Sequence, residues 1–190
     1  MRIVAGSRRG RRLKAPEARA LRPTSERARE ALFNIIGHRD FAPVPLAGAR
    51  VIDLFAGTGA LGLEALSRGA EYLTAVESDG AALACLRENI KALDFHSKAR
   101  VIQGDATSLP PAPLPCAYAF LDPPYRGGKA TPALASLTEN GWLIDGAIVA
   151  AETSAKENLE PPAGYEEIER RRYGAAEMVI LRYVASAPAE

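Results

Sequence analysis

The stretch of the chain with the clearest chemical potential is Asp122-Pro123-Pro124-Tyr125, which directly follows the apolar Phe120-Leu121. Each proline holds φ near about −65° and removes a backbone donor, so the loop is stiff and offers carbonyl acceptors that neighbouring amides do not engage. A carboxylate and a proline carbonyl can together accept both N–H bonds of one NH2 group, while a tyrosine ring stacks on a flat partner. Such a loop suits an amine conjugated to an aromatic ring. The nitrogen of that amine is a poor nucleophile because its lone pair is delocalised. Acceptors held out of the ring plane favour a more tetrahedral nitrogen, and a rigid loop needs little reorganisation as charge develops. The candidate catalytic residues are therefore Asp122, Pro123, Pro124 and Tyr125, acting on an exocyclic amino group of a base. In a duplex that group is enclosed by pairing, so the target must be unpaired or flipped out.

A second pattern lies upstream. Asp53-Leu54-Phe55-Ala56-Gly57-Thr58-Gly59-Ala60-Leu61-Gly62 contains a literal G-x-G-x-x-G, with Glu77 twenty residues after Gly57. Glycines let the backbone turn tightly and let a ligand approach the main chain, and an acid after the next strand can accept bonds from ribose hydroxyls. A dinucleotide cofactor such as NAD has those needs. So does S-adenosylmethionine, which also carries an adenosine. Asp53 favours the second: a carboxylate there is poorly placed beside a pyrophosphate but favourable to a sulfonium and an ammonium. Asp105, in Gln103-Gly104-Asp105-Ala106, is placed to accept a bond from an adenine amino group. The candidate cofactor-binding set is Asp53, Phe55, Ala56, Gly57, Thr58, Gly59, Glu77, Ser78, Asp105, Ala106 and Asp122.

These residues need a frame that brings them together. Apolar runs at 50–54, 72–76, 99–103, 116–121 and 147–151 read as strands. Helical patterns at 60–68, 81–93 and 131–137 separate them, the second with Leu83, Leu86, Ile90 and Leu93 on one side. Segments 165–173 and 177–183 alternate around Gly174 and read as a terminal hairpin. Repeated strand–helix units imply an α/β fold with a mostly parallel sheet and helices on both faces. Ahead of this body, segments 2–6 and 11–14 read as a short β-hairpin around Ser7–Gly10. A helix starts near Ser25 with Ala28, Ala31, Leu32, Ile35 and Ile36 inward and Arg27, Glu30 and Asn34 outward. The division expected is one domain, with a basic extension at 1–24 and a catalytic body at 25–190.

The charge distribution points to a partner. The net charge is +1, but residues 1–29 hold ten basic residues against Glu17 and Glu26, a net +8, which leaves −7 on the rest. A basic arm on a mildly acidic body suits a polyanion, and arginine forks match phosphates. The composition, 47% hydrophobic and 25% charged, is that of a globular chain. No apolar stretch is long enough to span a bilayer, and none follows the basic N-terminus in the manner of a signal peptide, so a cytoplasmic location is expected. Cys85 and Cys116 stand alone in apolar surroundings and read as buried thiols. His38 and His96 have no metal-type partners, so no metal site is expected. Trp142 reads as packing between the last helix and the fifth strand.

The chain resembles the bacterial 16S rRNA guanine-N2 methyltransferases of the RsmD type, a class I, Rossmann-like family. The resemblance covers Met1-Arg2-Ile3-Val4-Ala5-Gly6 with Arg9-Gly10-Arg11, Leu21-Arg22-Pro23-Thr24, and Arg27-Ala28-Arg29-Glu30-Ala31-Leu32-Phe33-Asn34. It continues through Asp53 to Gly62, residues 63–69, Glu77, Asp122 to Tyr125, and Asn140-Gly141-Trp142-Leu143. It implies a seven-stranded sheet and transfer of a methyl group from S-adenosylmethionine to the N2 amine of a guanine. It also implies an assembling small ribosomal subunit as substrate; a monomer is expected, and the Asp122–Tyr125 loop by itself leaves an adenine-N6 target in DNA or RNA as the alternative. By the same resemblance Arg2, Arg8, Arg9, Arg11, Arg12, Arg22, Thr24, Arg27 and Arg29 are the RNA-binding candidates. Gly80 and Ser78 depart from the family pattern around the adenosine.

Overall fold

A computed structural model describes residues 1–16, 26–38, 41–124 and 127–185. In the body, strands β1 (Arg50–Leu54), β2 (Tyr72–Glu77), β3 (Ala99–Gln103), β4 (Cys116–Leu121) and β5 (Leu143–Ser154) alternate with helices. The helices are α2 (Ala60–Ser67), α3 (Gly80–Ala92) and α4 (Ala130–Glu139). Helix α1 (Glu26–His38) precedes them, and β6 (Tyr165–Tyr173) and β7 (Ala176–Tyr183) close the chain as an antiparallel hairpin. The seven strands form one sheet in the order β3-β2-β1-β4-β5-β7-β6. The first five strands run parallel, and β7 is antiparallel to β5.

Burial follows position in the sheet. Every residue of the central β4 is buried, as a strand covered on both faces requires. Edge strand β6 carries Glu166, Glu167 and Glu169 through Arg172, charges that discourage pairing with another chain. On one face, Leu32, Phe33 and Ile36 of α1 join Leu63 and Leu66 of α2 and Leu86 and Ile90 of α3. On the other, Leu134 and Leu137 of α4 pack with Trp142 and Leu159. Trp142 is fully buried, and its indole N–H donates to the Pro110 carbonyl at 2.8 Å.

Two elements differ from the pattern. Strand β5 begins four residues earlier than its apolar run, because the pairing continues through an irregularity. Cys116 pairs with Leu143 and Tyr118 with Ile148, so the polar Asp145-Gly146 lies inside the strand as bulged backbone. The N-terminal arm folds back on itself, but its two expected strands reduce to a single antiparallel bridge between Arg2 and Arg12. A 3-10 turn at Gly6–Arg8 lies between the two halves. Helix α2 supplies the competing partners. Glu64 accepts from the amides of Val4 (2.7 Å) and Ala5 (2.9 Å), and Ser67 Oγ accepts from the Arg8 amide and donates to the Ala5 carbonyl. At Gly6, φ is +79° and a Cβ would lie 1.9 Å from the Ser67 carbonyl oxygen, so only glycine seats the arm this closely.

Candidate active site

Strand order reverses between β1 and β4, and in open α/β sheets ligands bind outside the strand C-termini at such a point. β1 ends at Asp53-Leu54 and runs into the glycine loop, while β4 runs into Asp122-Pro123-Pro124. The Asp122 amide donates to the Leu54 carbonyl at 3.4 Å, which joins the two loops at their roots. Asp122 is half-buried, Pro123 is buried and Pro124 is exposed. Tyr125 lies outside the described residues, as do Arg22 and Thr24.

The glycine loop turns through the left-handed region at Phe55 (φ +58°), Gly57 (+56°) and Gly59 (+86°). Its three glycines serve different ends. A Cβ on Gly57 would meet only the Phe55 carbonyl oxygen, at 3.9 Å, so that position faces open space where a ligand can approach the backbone. A Cβ on Gly59 would lie 2.5 Å from Leu86 Cδ1, and one on Gly62 would lie 2.5 Å from Leu73 Cδ1. Those two glycines let α2 sit close to α3 and β2. Phe55 adopts a left-handed conformation costly for a side-chain-bearing residue, a kind of strain that clusters at ligand sites.

The three acids are brought to neighbouring strand ends, but the structure changes the role of the first. Asp53 was expected to face a ligand cation; it is instead 1% exposed, and its carboxylate accepts from the Gly62 amide at 2.8 Å. Gly59, the N-cap of α2, has no side chain to offer the helix, so Asp53 supplies an acceptor from β1. Burial pushes the Asp53 carboxyl up to about 7, with Asp122 and Glu77 adding in the same direction and the Gly62 bond opposing them. Glu77 Oε2 accepts from the Gly57 amide at 2.8 Å, and its Oε1 accepts from the amides of Ser78 and Asp79 at 2.8 Å. Glu77 thus fixes the glycine loop against the β2 end. Asp105 Oδ1 accepts from the Thr107 amide and hydroxyl, and those bonds hold its carboxyl below the usual range. A fourth acid, Glu152, is buried near the C-terminal end of β5.

The remaining cofactor candidates divide by exposure. Phe55 and Ser78 are accessible at the crevice. Ala56 and Ala106 are buried, and the Ala56 amide donates to the Val76 carbonyl while its own carbonyl accepts from the Gly59 amide. Thr58 is 3% exposed, and its carbonyl accepts from Asn89 Nδ2 at 3.0 Å. Gly80 opens α3 with free space where a Cβ would be.

The arm arginines also divide. Arg9, Arg12 and Arg27 are exposed. Arg2 is exposed and pairs with Glu26 at 2.9 Å. Arg8 Nε donates to the Leu93 carbonyl at 2.7 Å and Arg11 Nη2 to the Ala92 carbonyl at 3.0 Å, so both cap the C-terminus of α3. Arg29 is the clear correction: it is fully buried, donates to the Arg2 carbonyl and faces Glu64 at 3.6 Å. It anchors the arm and cannot reach RNA.

Two residues went unnoticed in the sequence. Glu64 gathers Val4, Ala5, Arg29 and Arg68, and Asn89 joins the arm to the glycine loop. Asn89 is a polar residue among Leu83, Leu86 and Ile90 on the buried face of α3, and Glu64 with Ser67 interrupts the apolar run of α2, a contrast that was the available signal.

Cys116 is buried, with its thiol pushed up to about 12 by burial, whereas Cys85 is only half-buried. Among the described residues no group of three or more His, Cys, Asp or Glu is placed to hold a metal ion, and no helix is long and apolar enough to cross a membrane.

Comparison with known proteins agrees with this architecture. The family model called Conserved hypothetical protein 95 matches residues 1–182. The Escherichia coli K12 protein named Ribosomal RNA small subunit methyltransferase D is 41% identical over 160 residues, covering 84% of this chain and 77% of that protein. The Haemophilus influenzae protein of the same name is 34% identical over 179 residues, covering 92% and 89% respectively. The solved structure of the Escherichia coli yhhF protein superposes with a TM-score of 0.83 at 33% identity, covering 98% of this chain and 99% of that one. With its Rossmann-like sheet, glycine loop and Asp-Pro-Pro loop in place, the chain belongs to the Conserved hypothetical protein 95 family and is a methyltransferase of the RsmD type.

Proposed function

We propose that this protein transfers a methyl group from S-adenosylmethionine to the exocyclic N2 amine of a guanine in 16S rRNA. The observation that carries this reading is the bond between the Asp122 amide and the Leu54 carbonyl, which roots the amine-accepting loop beside the glycine loop. The residues present fit the cofactor. Gly57 leaves open space beside the backbone, and mutual repulsion among Asp53, Glu77 and Asp122 favours a cation near them. When bound, S-adenosylmethionine supplies a methyl group on a positively charged sulfur.

The chain's own residues do the rest. A carboxylate has roughly four lone-pair positions. Three amides occupy Glu77, leaving it able to accept from a ribose hydroxyl. Both bonds of the Asp105 turn fall on Oδ1, so Oδ2 can accept from an adenine amine. Asp122 and the Pro123 carbonyl accept the two N–H bonds of the target amine, Pro124 keeps the loop rigid, and Tyr125 stacks on the base. As the nitrogen–carbon bond formed, the methyl–sulfur bond would break with its electron pair left on the departing sulfur, and the Asp122 carboxylate would stabilise the positive charge on the nitrogen and accept the proton it sheds. Orientation and preorganised acceptors supply the catalysis.

The exposed Arg9, Arg12 and Arg27 would meet RNA phosphates, with an assembling small subunit as partner, the enzyme acting as a monomer in the cytoplasm. Calorimetric titration tests the cofactor directly: S-adenosylmethionine binds and NAD does not. Tight NAD binding without S-adenosylmethionine affinity would overturn the reading.

A further inference from the structure

The N-terminal arm and the glycine loop are far apart in sequence but share one side chain. Asn89 lies on the buried face of α3, between Leu86 and Ile90, and is 2% exposed. Its Oδ1 accepts from the Lys14 amide at 2.8 Å. Its Nδ2 donates to the Lys14 carbonyl and to the Thr58 carbonyl, both at 3.0 Å. The amide therefore pairs with Lys14 as a neighbouring strand would, and spends its other N–H on the glycine loop. Thr58 sits between Gly57, which faces open space, and Gly59, which is packed against Leu86. Its carbonyl sets the tilt of the peptide plane running into Gly59.

The arm end of this bridge is held independently. Arg8 and Arg11 anchor the arm to the carbonyls at the C-terminus of α3, and Lys14 pairs with Glu88 at 2.5 Å. Moving the arm moves Lys14, which would leave Asn89 to rotate or lose partners. A buried amide left with unmet groups is costly, so the two seatings favour each other.

We infer that Asn89 is a positioning residue that couples the seating of the basic arm to the shape of the cofactor loop. Holding the arm in place raises cofactor affinity, and by reciprocity the bound cofactor holds the arm. The inference rests on the proposed use of S-adenosylmethionine and adds a route by which the RNA-facing arm reports to that site.

The test is a double-mutant cycle read as affinity for S-adenosylhomocysteine by calorimetry. Arg8→Ala combined with Arg11→Ala loosens the arm. Asn89→Asp keeps the acceptor for the Lys14 amide and removes both donated bonds. With Asn89 present, loosening the arm weakens binding by roughly five- to tenfold. In the Asn89→Asp background the same loosening changes affinity by less than about twofold. Full additivity of the two changes overturns the inference, since a purely structural Asn89 predicts it. The unmodified chain gives a second readout. On adding S-adenosylhomocysteine, amide hydrogen exchange slows at Lys14, and unchanged exchange there counts against the coupling even if the Asn89 variant fails to fold. A wild-type chain that does not bind S-adenosylhomocysteine would instead remove the proposed function itself.

Discussion

Replacing Asp53 with asparagine isolates the cost of a buried carboxylate beneath the glycine loop. Burial raises this group from an ordinary 3.8 to about 7. The folded state therefore holds the proton more tightly than the unfolded chain. Stability is greatest at and below the ordinary value, falls as pH rises, and stops falling once pH passes about 7. Three units at about 1.36 kcal/mol each set an upper bound of about 4 kcal/mol on the total. Between pH 5 and 8 the loss is roughly 2.5 kcal/mol. Asparagine can still accept from the Gly62 amide, so the fold and the cap of α2 are kept. Urea denaturation of both proteins across that range then has a clear expectation. Asp53→Asn becomes progressively more stable than the wild type as pH rises, because all other titrations cancel in the difference. Parallel stability curves from pH 5 to 8 would refute the reasoning and place Asp53 in contact with water or a neutralising partner. The same argument requires a bound cation to pull a proton off Asp53. Cofactor affinity in the wild type therefore rises with pH up to about 7, and this dependence flattens in the variant.

Asp122→Ala is expected to lower methyl transfer by at least on the order of a hundredfold, while calorimetry still detects S-adenosylhomocysteine; retained turnover would remove Asp122 from the mechanism. Gly57→Ala and Gly62→Ala should fail differently: the first meets open space, so it folds, pays only about 1 kcal/mol of backbone strain and loses cofactor affinity. The second drives a methyl to 2.5 Å from Leu73 Cδ1 and shows as a lowered melting temperature even without ligand. Glu64→Gln leaves Arg29 buried without its counter-charge and should cost about 3 to 5 kcal/mol in denaturant unfolding, with the arm amides of Val4 and Ala5 exchanging faster.

The body was legible because its strands are short apolar runs separated by glycine, proline and amphipathic segments, a pattern that local chemistry alone enforces. The terminal hairpin was legible from alternation around Gly174. What escaped was decided by contacts between distant residues. The buried face of α1 was expected on Ala28, Ala31, Leu32, Ile35 and Ile36, yet Ala28 and Ala31 are only half-buried while Arg29 and Phe33 are buried with the other three, because the arm and α2 cover that side. Arg29 looks like one more basic residue in a basic stretch until Glu64 is seen opposite it. Asp53 carries the same lesson at the site. An acid just before a glycine loop has the composition of a ligand group, and only the fold shows its carboxylate turned under the loop toward Gly62. The arm's two halves still exchange bonds from the Ile3 and Leu13 amides, but the pairing stops at one bridge because Glu64 claims the Val4 and Ala5 amides and Asn89 claims the Lys14 amide.

The most direct test of the central claim is incubation with tritium-labelled S-adenosylmethionine and, in parallel, naked 16S rRNA, assembled small subunits and duplex DNA, followed by digestion and identification of the labelled nucleoside. The account predicts label in N2-methylguanosine from the small-subunit RNA and none in DNA. Label in N6-methyladenosine, or in duplex DNA, would contradict it.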